Sequence, residues 1–169
     1  MKNLFFAFVI AIMAIIYGCN SDDGNPTGGG AVTIDPNTIN GAVTFVDTNA
    51  VIDTTGGYYS VNAFATWPPT GNPTATAKVK LIKGADGKYS ATYKIIGLNN
   101  GQYVVTSAFI KTPYVVGNGV LGIGSFSCDT SSSCLFSPGI QKVTIENNNG
   151  KADINFISFA DTSKKIYKF

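Results

Sequence analysis

The residue types this chain lacks limit its chemistry before any fold is considered. No His occurs among its 169 residues, and each of the 12 cationic side chains is Lys, because there is no Arg. Histidine is the commonest general base near neutral pH and the commonest metal ligand. Arginine supplies the planar fork that grips phosphate or carboxylate at two points. Without them, catalysis is left to Lys, Tyr, Ser or a carboxylate pair. The acids Asp47, Asp53, Asp129, Asp153 and Asp161 are spread one per loop or strand end. They lack the dense alternation of a calcium loop and read as solvated turn residues. A net charge of +2 with no basic cluster argues against nucleic acid, which needs clustered cations to displace counterions. The expectation is therefore no enzyme, no cofactor and no metal.

What remains suits binding or packing. Trp67-Pro68-Pro69-Thr70-Gly71-Asn72-Pro73 holds the single Trp against two prolines. Such a ring is either a rigid stacking platform for a sugar or a proline-rich peptide, with Tyr58 and Tyr59 as neighbours, or a lid on the end of a β-fold. Lys78, Lys80, Lys88 and Lys94 fall on one strand face by alternation. They read either as an attraction for an anionic glycan or membrane surface, or as an ordinary wet face that guards against edge pairing. Gly117-Asn118-Gly119-Val120-Leu121-Gly122-Ile123-Gly124 is glycine-rich, but no helix pattern follows and no Lys is placed for a phosphate. Its glycines suit bends in a strand.

The elements that must position these residues read as strands. Short β-branched and aromatic runs, separated by Gly, Asn, Pro and Asp, fall at 41–46, 58–66, 77–83, 88–95, 102–111, 114–123, 141–146 and 152–158. In 88–95, Tyr89, Ala91, Tyr93 and Ile95 share a face opposite Lys88, Ser90, Thr92 and Lys94. Gly84-Ala85-Asp86-Gly87 predicts a hairpin turn between this strand and 77–83. The run 103–110 is apolar on both sides, as a central strand would be. One-sided alternation over eight short strands predicts an all-β, two-layer antiparallel sandwich spanning residues 39–160.

The first 18 residues differ in kind. Lys2 precedes an apolar run at 4–17 that would reach roughly 21 Å as a helix, too short for a hydrocarbon core of about 30 Å. It reads as a signal-peptide core. Ile15-Ile16-Tyr17-Gly18-Cys19 resembles the lipobox of bacterial lipoproteins, with an aliphatic residue three places before the cysteine and a small residue directly before it. Tyr17 departs from the usual smaller residue. The resemblance implies lipidation of Cys19 and a membrane anchor. Of the three cysteines, that leaves Cys128 and Cys134 to close a structural disulfide around a polar, turn-prone segment. Residues 20–30 contain no large apolar side chain, so 19–38 is expected to be a flexible tether. Asp22 and Asp23 soon after Cys19 are similar to signals that send Bacteroidetes-type lipoproteins to the outer face. The expected location is thus the cell envelope, on the outer membrane, surface-exposed or otherwise periplasmic.

A second resemblance lies in Gly97-Leu98-Asn99-Asn100-Gly101-Gln102-Tyr103. It is similar to a motif of prealbumin-like domains, including carboxypeptidase regulatory-like and transthyretin-like modules, and Ile39-Asn40-Gly41-Ala42-Val43-Thr44-Phe45 resembles their first strand. It implies a Greek-key sandwich of seven or eight strands. Leu98 would plug the end, Gly101 would make the turn, and Tyr103 would start the next strand in the core. Such modules are usually non-catalytic, and their hydrolase branch depends on histidines that this chain lacks. The expected function is a non-enzymatic envelope lipoprotein for structural display or protein interaction. The alternative is a carbohydrate- or peptide-binding module using Trp67, Tyr58 and Tyr59. Residues 161–169 are expected to be a tail or an extra edge strand.

Overall fold

The computed structural model describes residues 34–46, 56–115, 119–162 and 167–168. The segment read as a signal peptide, Cys19, most of the expected tether, Asp47 and Asp53 lie outside the described residues. The chain is mostly β. In order come β1 (Ile39–Val46), β2 (Gly57–Phe64), β3 (Ala75–Val79), β4 (Ile82–Lys83), β5 (Tyr89–Ile95), β6 (Gly101–Lys111) and β7 (Val120–Ser125). A one-turn helix α1 (Ser132–Leu135), β8 (Val143–Ile145), β9 (Phe156–Phe159) and β10 (Tyr167–Lys168) follow.

Strands β1 and β5 show the period-2 pattern that buries one face. In β1, Ile39, Val43 and Phe45 are buried, while Thr44 faces out. Gly41 also has core parity, but the Ile154 carbonyl occupies the space where its Cβ would stand. Strand β6 is the longest element. It pairs antiparallel with β2 from Gly57↔Lys111 to Phe64↔Val104. Its other edge is shared between β8 at Gly101–Tyr103 and β7 at Thr106–Ile110. Burial on both faces of β6 agrees with its two-sided apolar sequence.

The strands form one curled sheet in the order β3-β2-β6-β7-β9-β1-β5-β4, with β8 and β10 attached to β6 and β7. Two features depart from the expected antiparallel sandwich of seven or eight strands. First, β1 and β9 run parallel, from Val43↔Phe156 to Val46↔Phe159, so the sheet is mixed. Alternation reports which face a strand buries and carries nothing about the direction of its neighbour. Second, ten strands are present among the described residues. The run read as one strand at 77–83 divides between β3 and β4. Strand β3 pairs with β2 through Tyr59↔Val79, whereas β4 pairs with β5 through Ile82↔Ser90. The Lys–apolar alternation runs from Lys78 to Leu81 and slips at Ile82, where the partner changes.

The core lies inside the curl. Tyr59 meets Phe45 and Phe109 edge-on, at ring-centroid distances of 5.5 and 5.2 Å. Its hydroxyl donates to the Ala160 carbonyl at 2.6 Å, so a buried phenol keeps its hydrogen bond. Tyr93 packs on Phe156 and donates to the Ile154 carbonyl at 2.6 Å. At the loop before β6, Gly97 takes φ +74°, a conformation that costs glycine little. This turns Leu98 into the core, where it is 1% exposed. Tyr103 is also buried, and its hydroxyl donates to the Asn99 carbonyl at 2.9 Å, bracing the loop that precedes its own strand.

The folded unit starts earlier than Ile39. Within the segment assigned to the tether, Asn37 donates to the Asn148 carbonyl at 2.8 Å and accepts from the Leu98 amide at 3.1 Å. Thr38 is buried and accepts from the Lys151 amide. Polar composition suggested a tether, but the backbone of Asn37 and Thr38 is hydrogen-bonded into the fold. At the other end, β10 pairs with β7 through Tyr167↔Gly122 and Lys168↔Leu121.

Leu98→Ala leaves a cavity that the braced loop cannot collapse. It is expected to destabilise the domain by about 2–5 kcal/mol in denaturant unfolding. Burial pushes the Tyr93 hydroxyl well above the usual tyrosine value. The folded state therefore keeps a proton that the unfolded chain loses above pH ~10. Stability should fall as pH rises past that point, by up to about 1.4 kcal/mol per pH unit from this group. Alkaline unfolding curves of Tyr93→Phe should show a shallower decline than those of the wild type.

Candidate functional site

The residues singled out for binding separate into two regions. Strand β2 runs into the Trp67 loop and the chain returns as β3. The loop is closed at its base by Thr74 N–H on the Ala63 carbonyl at 2.8 Å and by the Ala65 amide on Thr74 Oγ1 at 3.3 Å. Trp67 stands edge-on to Phe64, with centroids 5.7 Å apart. Its Nε1–H donates to the Leu135 carbonyl at 2.8 Å. Leu135 closes α1, directly after the Cys128–Cys134 disulfide, whose Cα atoms are 5.4 Å apart.

That disulfide loop is itself tied down. Ser125 and Asp129 exchange backbone hydrogen bonds at 2.8 and 2.6 Å. Asp129 Oδ1 accepts from the Ile157 amide of β9 at 2.8 Å. The acid read as a solvated turn residue is thus a clasp between the disulfide loop and the sheet. Trp67 is half-buried, with its polar edge committed to this loop. A small hollow of about 140 Å³ beside it is lined by Phe64, Pro69 and Asn72 among others, and Trp67 takes no part in its wall. The arrangement is that of a cap.

Tyr59 is 3% exposed, and its ring and hydroxyl belong to the core described above. Tyr58, on the opposite face of β2, lies elsewhere. It lines an open groove of about 520 Å³ together with Lys78, Lys80, Leu81 and Tyr89. Lys78 Nζ sits 4.5 Å from the centre of the Tyr58 ring, and Lys83 Nζ sits 5.8 Å from that of Tyr89. The structure thus sets Trp67 apart as a cap, while Tyr58 and Tyr59 both border the groove, Tyr59 with its ring and hydroxyl committed to the core.

The four lysines assigned to one face do not act together either. Lys94 pairs with Asp35, and Lys78 and Lys94 belong to strands that are not hydrogen-bonded neighbours. Sequence reading missed Tyr89 as a groove residue and Lys83 as the cation beside its ring. Alternation put Tyr89 on the apolar face, and Lys83 comes into place only because β4 joins the far end of the sheet. No three His, Cys, Asp or Glu residues among those described come close enough together to hold a metal ion.

Trp67→Phe keeps an aromatic ring and removes the donor. It should cost about 1 kcal/mol in unfolding free energy. Opening the disulfide with Cys128→Ser and Cys134→Ser should cost roughly 2–2.5 kcal/mol on the chain-entropy estimate and shift Trp67 emission to the red as the cap loosens. Compared with protein-family models, with curated proteins and with solved structures, the chain matches none.

Proposed function

We propose that this chain is a non-enzymatic, lipid-anchored protein of the bacterial cell envelope. Its β-domain, a prealbumin-like Greek-key sandwich modified by the parallel β1–β9 pair, serves structural display or protein contact. The observation that carries this reading is the commitment of Trp67. The side chain best suited to a ligand platform instead ties its loop to the disulfide loop. The buried positions of Leu98 and Tyr103 support the prealbumin-like assignment. The lipobox-like residues before Cys19 support the anchor. The polar segment after Cys19 would hold the domain clear of a lipid surface.

The second reading, a carbohydrate- or peptide-binding module, is favoured at one of its three residues. Tyr58 lines an open groove, while Trp67 and Tyr59 are engaged in packing.

Mass spectrometry of the N-terminal peptide tests the anchor. The wild type should carry acyl chains on Cys19 and fractionate with membranes, and Cys19→Ala should do neither. Protease added to intact cells should then shave the wild-type domain from the surface. An unmodified Cys19 would remove the anchored reading, and an acylated but protected domain would place it on the periplasmic side.

A further inference from the structure

We propose that the groove between the two ends of the sheet binds an anionic saccharide, one whose sugar rings carry carboxylates. The proposal rests on the binding-module reading and moves its centre from Trp67 to Tyr58. The groove walls come from strands far apart in the sheet order: Tyr58 from β2, Lys78 from β3, Lys80 and Leu81 from the link, and Tyr89 from β5. It is therefore a seam, where the curled sheet meets its other end without a hydrogen-bonded ladder. Strand β3 is an end strand, so alternate backbone polar groups along it face this seam.

The lining has two components, and an acidic sugar uses both. The tyrosine rings offer apolar faces with a polar tip, suited to the C–H face and hydroxyls of a pyranose. The lysines offer positive charge. Among the described residues, Lys78, Lys80, Lys83 and Lys88 have no carboxylate at ion-pair distance. The acid in the adjoining turn, Asp86, accepts instead from the Lys88 backbone amide at 3.1 Å. Two of these ammonium groups rest on the rings of Tyr58 and Tyr89. Cation–π contact at an exposed site is weak, whereas an ammonium–carboxylate hydrogen bond is charge-assisted and stronger. A ligand carboxylate would draw Lys78 and Lys83 off their rings and clear those faces for the sugar.

Titration calorimetry on the full chain in detergent tests this with three probes: an oligogalacturonate, its carboxyl-reduced neutral counterpart, and a glutamate peptide of equal charge. The oligogalacturonate should bind, and the other two should bind at least about tenfold more weakly. Lys78→Gln and Tyr58→Leu should each weaken its binding about tenfold, while Lys142→Gln, which removes a charge elsewhere, should not. Thermal melts of each variant report whether the fold is intact, and exposed Lys78 keeps the test valid should Tyr58→Leu unfold. Equal binding of the glutamate peptide, or equal weakening by Lys142→Gln, would overturn the proposal in favour of unspecific charge attraction. Binding of the neutral sugar alone would overturn the anionic ligand but leave the binding-module reading standing. No binding of any probe would overturn both.

Discussion

The shape of this domain depends on a link of two residues. Strands β3 and β4 are the two ends of the eight-strand path, yet only Lys80 and Leu81 separate them in the chain. Three residue steps from Val79 to Ile82 span at most about 10–11 Å. Eight strands laid flat would put the ends roughly 34 Å apart at the usual inter-strand spacing. The sheet must therefore curl until its ends nearly meet, in the sense its twist already favours. The aromatic cluster of Phe45, Tyr59 and Phe109 fills the space this creates, bringing β1 against β2 and β6.

Near-closure leaves a seam and an end, and the molecule treats them differently. At one end, Trp67, α1 and the disulfide are joined by a chain of hydrogen bonds that reaches β7 and β9 through Ser125 and Asp129. Those groups are satisfied within the fold. At the seam, backbone edges and lysines face an open groove instead. A domain with a tied end and an open seam can hold its shape while one side stays available for contact.

Much of the local architecture was legible from residue types alone. Period-2 alternation marked β5 and a two-sided apolar run marked the doubly buried β6, because a strand's faces are fixed by its own sequence. The resemblance of Gly97–Tyr103 to prealbumin-like domains, and not residue type alone, implied core positions for Leu98 and Tyr103, and both are buried. The Cys128–Cys134 pairing was also reached from sequence, once Cys19 was set aside on its resemblance to a lipidation site. The candidate site was less legible. Of its expected aromatics, Tyr58 and Tyr59 border the groove, Tyr59 with its ring in the core, and Trp67 does not, because whether an aromatic faces solvent, core or a neighbouring loop depends on elements distant in sequence.

Composition by itself determined the absence of His and Arg chemistry and the near-neutral charge. Local pattern determined most strand positions and the faces they bury. Tertiary structure alone decided the parallel β1–β9 pair, the change of partner at Lys80–Leu81, the clasp role of Asp129 and the meeting of Tyr58 with Tyr89. The physical reason is common to all four. Alternation and propensity are properties of a segment, whereas strand direction, partner choice and side-chain neighbours are set by which distant surfaces bury the most apolar area together.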